Sequence, residues 1–144
     1  MSLPKIAKVT HELTVPSTGK RIKFRPFLVK EEKVLILAQE SGNQAEMARA
    51  IQEVIKACVI TRGFKLDELA TFDIEYLFLN IRGKSVGEDV QLVVTCPDDG
   101  ETKVDVTVFL DEVQVVKNDT HKRDISLDDT YSLRMKYPNL EMVM

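Results

Sequence analysis

Residues 44–60, QAEMARAIQEVIKACVI, carry the clearest structural pattern in the chain. Apolar side chains recur in this stretch at spacings of three and four residues, which is the period of one face of an α-helix. They are Met47, Ala48, Ile51, Val54, Ile55, Cys58 and Val59. The stretch therefore predicts an amphipathic helix from about Gln44 to Ile60 that buries this face, with the Cys58 thiol serving as a small core hydrophobe.

A β-hairpin and another helix are predicted on the amino-terminal side of this stretch. Two alternating runs, 11–15 and 21–25, are separated by Pro16-Ser17-Thr18-Gly19, a composition typical of a turn. Within the second run one face holds Ile22 and Phe24, and the other holds Arg21, Lys23 and Arg25. We expect the apolar face to pack into the core and the basic face to be exposed to solvent. A helix over 29–41, ended by Gly42, follows.

The carboxyl-terminal side changes from helical to strand periodicity. A short turn of helix around 66–69 is followed by a predicted helix over 72–82, which Thr71 or Asp73 caps and which Gly83 and Gly87 end. From Val90 onward the period is two. Strands are predicted over 90–95 and 103–109 around the turn 97–100, and a third hairpin is predicted over 125–137.

The order of strands, helices and strands predicts an α+β fold with antiparallel pairing. Antiparallel β-hairpins at both ends would flank a central group of about three helices. Residues 1–144 have the length of one ordinary domain, so we expect a single α+β domain, either alone or as the amino-terminal part of a longer protein.

Composition limits the possible functions. Apolar residues make up 44% of the chain, enough to bury a core, and the formal net charge is −3. That charge argues against an obligate nucleic-acid or anionic-membrane binder, because neutralising phosphates requires an excess of Lys and Arg. Cys58 and Cys96 are too few for a disulfide framework, which fits a reducing compartment. No secretion signal is evident, and no run reaches the roughly 18–20 apolar residues of a membrane span.

No catalytic residue, cofactor site or small-molecule substrate site is predicted. Gly83-Lys84-Ser85 matches the end of a phosphate-binding loop, but Phe78 stands where the first glycine of that motif belongs. The preceding segment also has the period of a helix instead of a strand. We therefore expect Gly83-Lys84-Ser85 to be a helix stop followed by a solvated loop.

No metal site is predicted either. Cys96-Pro97-Asp98-Asp99 resembles half of a zinc knuckle, but Cys58, His11 and His121 show no ligand spacing that would complete it. Three pairs of acidic residues, 98–99, 111–112 and 128–129, lie beside predicted turns, where carboxylates are usually solvated and do not act as acid or base catalysts.

Two charged segments are the candidate partner-binding surfaces. One is the basic strand face, with Arg21, Lys23 and Arg25; the other is the predicted loop 82–88, with Arg82, Lys84 and Glu88. Both combine charges with glycine or proline in exposed positions, so we expect them to meet other proteins. The alternative is that the basic strand binds nucleic acid, with Phe24 stacking on bases, although Phe24 lies on the face opposite the charges.

Several segments together resemble a known family. They are Leu3-Pro4-Lys5, residues 13–19 (LTVPSTG), 24–32 (FRPFLVKEE), 72–79 (FDIEYLFL) and 81–88 (IRGKSVGE). In this order the segments are similar to the base-plate hub proteins of T-even-type, contractile-tailed bacteriophages. The resemblance extends over most of the chain.

This resemblance implies a non-enzymatic component of the central hub of the tail base plate, without a cofactor. An assembly factor that is absent from the finished particle is the alternative. The implied partners are other base-plate and tail proteins, or further copies of the chain itself, and the implied location is the virion tail, with the host cytoplasm during assembly. Some relatives place a second cysteine soon after the one matching Cys96; here Pro97, Asp98 and Asp99 follow, which argues against a metal role.

Related chains are generally longer. We therefore expect the final strand or residues 139–144 to contact either a further carboxyl-terminal region or a neighbouring subunit.

Overall fold

The computed structural model describes residues 9–143. The first half contains β1 (His11–Thr14), β2 (Arg21–Phe24), α1 (Val29–Ser41) and α2 (Gln44–Cys58). A 3₁₀ turn (Leu66–Glu68) leads to α3 (Thr71–Val86). The second half contains β3 (Asp89–Thr95), β4 (Lys103–Phe109), β5 (Asp124–Ser126), β6 (Ser132–Arg134) and the single turn α4 (Leu140–Val143). Among these described helices, none is long and apolar enough to cross a bilayer.

The strands form three separate antiparallel pairs, β1–β2, β3–β4 and β5–β6. This arrangement confirms the predicted α+β fold, with hairpins on both sides of three main helices. Strand β2 also pairs along its second edge with the segment that follows α2. The Arg25 N–H donates to the Cys58 carbonyl oxygen at 3.0 Å, and the Ile60 N–H donates to the Lys23 carbonyl oxygen at 2.8 Å.

The core lies where β2, α2 and α3 meet. Its fully buried side chains include Phe24 from β2, Val54, Ile55 and Cys58 from α2, and Leu77 and Ile81 from α3. Helix α2 buries the predicted face. It ends at Cys58, two residues before the predicted end, because Val59 adopts an extended conformation and bridges to Phe24.

Helix α3 extends beyond its predicted end at Arg82, and the predicted stop at Gly83 is wrong. Gly83 is buried inside the helix, and a Cβ atom there would lie 3.7 Å from the Leu110 side chain. A glycine in a helix costs only about 1 kcal/mol, which packing against Leu110 can offset. The helix ends before Gly87, whose φ of +153° is accessible mainly to glycine. Residues 82–86 are therefore the end of a helix and not a loop.

Asp73, one of the two residues predicted to cap α3, does cap its amino end, although it lies inside the helix and not before it. The residue before the helix is Ala70, and Asp73 stands at the third helical position, where its carboxylate accepts from the Ala70 N–H at 3.2 Å. Helix α1 begins in the same manner, with the Glu31 carboxylate accepting from the Leu28 N–H at 2.7 Å. At the other end of α1, Gly42 has the left-handed conformation predicted for a helix stop, with φ of 66°.

Strands β3 and β4 form a long arm with two unlike faces. One face holds Val90, Leu92, Val94, Val104, Val106 and Val108, which pair directly across the two strands. The four central side chains of this face, Leu92, Val94, Val104 and Val106, are each 39–47% exposed. The base of the arm is held by Leu110, which is buried and whose N–H donates to the Glu88 carbonyl oxygen at 2.7 Å.

Candidate interaction surfaces and the ties that hold them

The basic strand face is smaller than the sequence predicts. Arg21 and Lys23 are exposed, but Lys23 lies opposite Glu12 of β1, and the ammonium and carboxylate are 3.2 Å apart. This exposed pair contributes little to stability. It does neutralise much of the local positive charge, so Arg21 is the main uncompensated cation of the strand.

Arg25 does not face solvent with Arg21 and Lys23, and this expectation was wrong. Strand β2 ends at Phe24, so the alternation of faces does not continue to Arg25. The Arg25 guanidinium lies 3.0 Å from the Glu31 carboxylate and donates to the Pro26 carbonyl oxygen at 2.9 Å. The side chains of Arg25 and Glu31 are only 15% and 6% exposed. The pair joins the end of β2 to the first turn of α1.

Hydrogen bonding decides the ionisation of Glu31. Burial alone would raise the pKa of Glu31, but hydrogen bonds from Arg25 and from the Leu28 N–H, together with the charges of Arg25 and Lys30, outweigh burial. The pKa of Glu31 is consequently lower than its ordinary value of 4.5. Glu31 therefore remains ionised inside the protein at neutral pH, and the buried Arg25 charge is compensated.

The last turn of α3 holds the other predicted partner-binding residues. Lys84 and Glu88, four positions apart, form an ion pair with each other on the surface. Arg82 is half-buried, and its Nη1 atom is buried without a hydrogen-bond partner among the described residues. The segment thus presents a neutralised pair beside one partly enclosed cation.

Ser85 has a structural role that the sequence motif did not predict. Its hydroxyl accepts from the Phe27 N–H at 2.9 Å and donates to the Ile81 carbonyl oxygen at 2.5 Å. The Gly83-Lys84-Ser85 segment therefore ties the end of α3 to the connection between β2 and α1. Its backbone is helical and does not form the open loop that cradles a phosphate.

Asp73 also connects distant segments through buried hydrogen bonds. Its carboxylate accepts from the Ser17 N–H at 2.9 Å, from the Ser17 hydroxyl, and from the Ala70 N–H. Asp73 is 1% exposed, so these donors replace the water that a buried carboxylate would otherwise lack. The contact fastens the β1–β2 turn onto the amino end of α3. Ser17 and Asp73 are 56 positions apart, and no local pattern signals their pairing.

Both cysteines are free thiols. Burial raises the pKa of Cys58 to about 11; the nearby Arg25 charge opposes this effect and the Glu31 charge adds to it. Cys58 is therefore an unreactive core residue, as its position on the apolar stripe predicts. Across residues 9–143, no three His, Cys, Asp or Glu side chains lie together as a metal site would require.

An apolar cleft of about 540 Å³ lies beside α2 and α3. Its walls include Ile51, Ile74 and Phe78, and the carboxyl-terminal residues Leu140 and Val143 also line it. The chain returns to this region through a backbone hydrogen bond of 3.1 Å from the Thr71 N–H to the Pro138 carbonyl oxygen. The final described residues are thus attached to the core, while Met142 and Val143 stay exposed.

A family model described as T4 bacteriophage base plate protein matches residues 7–144 of this chain. The chain belongs to this family. No curated protein and no solved structure matches it. Membership in the T4 base plate family indicates a structural component of the phage tail base plate, which interacts with other tail proteins and is located in the virion tail.

The described segments that resemble base-plate proteins are also the segments that buried or half-buried polar contacts connect. Ser17 lies in 13–19 and binds Asp73 in 72–79, while Phe27 in 24–32 binds Ser85 in 81–88. Arg25 and Glu31 pair within 24–32. In this base-plate chain, the buried polar residues of these segments therefore hold the fold together.

Proposed function

We propose that this chain is a non-enzymatic structural component of the central hub region of the base plate, and that it acts by binding neighbouring tail proteins. The observation that carries this proposal is the family match, which extends over residues 7–144. The hub assignment is supported by the ordered resemblance to base-plate hub proteins in segments 13–19, 24–32, 72–79 and 81–88.

The distribution of polar and apolar groups supports binding to proteins instead of catalysis. The buried carboxylates Asp73 and Glu31 are both engaged by donors, so neither is available as an acid or base. Many large apolar side chains lie instead on the surface, including Leu92 and Val106 on the β3–β4 arm and Ile125 and Leu133 on the third hairpin. Contiguous exposed apolar surface is typical of protein-binding sites.

Quantitative proteomics of purified phage particles tests the hub proposal. A structural component is expected at a fixed copy number in the particle and in isolated base plates, and in the central fraction after the base plate is dissociated. Abundance in infected cells without a stoichiometric copy in particles would contradict the proposal and favour an assembly factor. A fixed copy number confined to the peripheral fraction would contradict the hub location.

The partner-binding role of the remaining charged residues can be tested with substitutions that should not affect folding. We propose that Arg21, Lys23 and the Arg82, Lys84 and Glu88 segment contribute to partner binding. Charge reversal with Arg21→Glu and Lys23→Glu is expected to reduce incorporation into base plates while leaving the melting temperature almost unchanged. Arg25→Glu is the contrasting variant, because it places a second negative charge beside the buried Glu31 and should lower the melting temperature.

A further inference from the structure

The β3–β4 arm presents a continuous aliphatic surface. Val90 faces Val108, Leu92 faces Val106, and Val94 faces Val104, and all three pairs lie on one side of the arm because side chains alternate along a strand. The adjacent pair Gln91 and Thr107 lies on the opposite side.

The described residues leave this surface open to solvent. Leu92, Val94 and Val104 are each 45–47% exposed, and Val106 is 39% exposed. A two-stranded sheet by itself is at best marginally stable in water and needs a covering layer on its apolar face. Four contiguous exposed aliphatic side chains are also more than the single exposed apolar residues that an ordinary surface carries. The arm therefore has the properties of an element that is covered by another chain.

The charge of the arm indicates what kind of surface the covering chain presents to it. Residues 89–109, which form the arm, contain five carboxylates and one lysine, Lys103. Three of the acids, Asp98, Asp99 and Glu101, lie at the tip. Hydrogen bonds from the Thr102 hydroxyl and from the backbone N–H groups of Thr102 and Glu101 lower the pKa of Asp99 to about 2, so this part of the tip keeps its charge in acidic solution. A surface that receives the arm must supply positive charge at its rim.

A second copy of this chain fits poorly. Seven residues per strand give a face roughly 23 Å long, and two strands give it a width of roughly 10 Å, or about 230 Å². A stable interface buries about 800 Å² per partner. Two arms packed face to face in the same direction would also bring their acidic tips together. Self-association through this face alone is therefore unfavourable in area and, in that orientation, also in charge.

We propose that the β3–β4 arm is a docking element whose aliphatic face packs on an apolar surface of a different base-plate protein, bordered by Lys and Arg residues that meet the acidic tip. This inference rests on the proposed base-plate function and adds the surface and the kind of partner. The area beyond the arm's own face would be contributed by its tip, its edges and neighbouring parts of the chain.

Site-specific photo-crosslinking tests the contact. A photo-crosslinking amino acid is placed at position 106, on the aliphatic face, or at position 107, on the opposite face, and the variants are supplied during infection. Purified tails and tail precursors from infected cells are irradiated, and the crosslinked peptides are identified. We expect position 106 to crosslink to another tail protein at least 5-fold more than position 107, at an apolar segment with Lys or Arg nearby.

Three results would overturn the docking inference: crosslinks from position 106 mainly to a second copy of the chain, equal yields from positions 106 and 107, or no crosslink in either sample. Absence of the chain from finished particles, with crosslinks present in precursors, would instead contradict the structural-subunit proposal and leave the arm's role intact.

A paired substitution separates docking from folding. Leu92→Lys with Val106→Lys is expected to reduce incorporation into tails at least 10-fold and to leave the melting temperature within a few degrees of the original, because this face is already exposed. The matched control, Gln91→Lys with Thr107→Lys, adds the same charge to the opposite face and should incorporate normally. Global unfolding of the first variant, or normal incorporation, would contradict the inference.

Discussion

Single polar side chains hold distant segments of this chain together. Asp73 fastens the β1–β2 turn to α3, Ser85 fastens α3 to the connection before α1, and Glu31 fastens α1 to the end of β2. Each of these side chains is buried or half-buried and has several donors or acceptors close to it, which is the condition under which a polar group can remain in a protein interior. Their removal is expected to affect folding before it affects binding.

Asp73→Ala is expected to lower the free energy of unfolding by about 2–4 kcal/mol, because it leaves the Ser17 and Ala70 donors without their carboxylate partner. Ser17→Ala should cost only about 1 kcal/mol, since it removes one donor. Urea unfolding of both single variants and of the double variant measures these values. The double variant should cost less than the sum of the two, because the residues share one contact. Strict additivity would show that they do not interact.

The loss of unfolding free energy caused by Glu31→Gln should depend on pH, because the charge of Glu31 pairs with Arg25. The pKa of Glu31 is lower in the folded chain than its ordinary value of 4.5, so the stability that its charge provides is complete above that value. That stability is lost as the pH falls through the folded pKa. At neutral pH the substitution should cost about 2 kcal/mol.

Unfolding by urea at pH 7 and at successively lower pH checks this prediction, and the difference between Glu31→Gln and the original chain should narrow as the pH falls. Glu12→Gln is the control, because Glu12 belongs to the exposed pair with Lys23 and its loss should cost less than about 0.5 kcal/mol. A difference for Glu31→Gln that stays constant down to pH 2 would contradict a charge-based role.

At the scale of elements, α3 is continuous through Gly83, although glycine there weakens the helix. The helical backbone at Gly83 suits any L-residue, and an added Cβ would make only ordinary contacts with Leu110 at 3.7 Å. Gly87, four residues later, has the opposite character, since its φ of +153° strains other residues. The two glycines thus have different roles in one short segment: the first is tolerated within the helix, and the second ends it.

Gly83→Ala is therefore expected to raise the free energy of unfolding by about 0.5–1 kcal/mol, because alanine restricts the unfolded chain and favours the helix. Gly87→Ala should lower it by about 1–3 kcal/mol through backbone strain. Thermal unfolding followed by circular dichroism measures both changes. Destabilisation by Gly83→Ala would show that the space beside Leu110 is too small for a methyl group.

At the scale of the whole molecule, charge is distributed unevenly. The β3–β4 arm has five carboxylates and one lysine. The positive charge exposed on the basic strand is reduced by the Lys23–Glu12 pair and by the inward position of Arg25. The formal net charge of the chain is −3. A negative net charge opposes binding to a polyanion, because neutralising phosphates requires an excess of Lys and Arg.

We therefore expect no saturable binding to duplex DNA at about 50 mM salt and protein concentrations up to roughly 10 µM. Fluorescence anisotropy of a labelled 20-base-pair duplex measures this, with binding expected to stay at the level of an uncharged carrier protein. Saturable binding that weakens steeply with salt and disappears in Arg21→Glu would contradict the prediction and revive the nucleic-acid alternative.

Local patterns in the sequence determined the elements of this protein. The three- and four-residue spacing of α2, the alternation of β2, β3 and β4, and the turn residues around 97–100 each depend on neighbours a few positions away. Gly42 has the stop conformation that its position predicts. The α+β class follows from the order of such elements, and for that reason it could be predicted without tertiary information.

Only the tertiary structure decided how these elements are joined and which apolar faces remain open. Ser17 meets Asp73 across 56 positions, and Phe27 meets Ser85 across 58, so neither partner carries a local signal of the other. Alternation marks an apolar face on β3 and β4 but does not say what covers it, because coverage depends on where the arm emerges from the core. The buried polar contacts and the exposed aliphatic face of the β3–β4 arm both result from long-range packing. The spacing of residues along a chain does not encode such packing by itself.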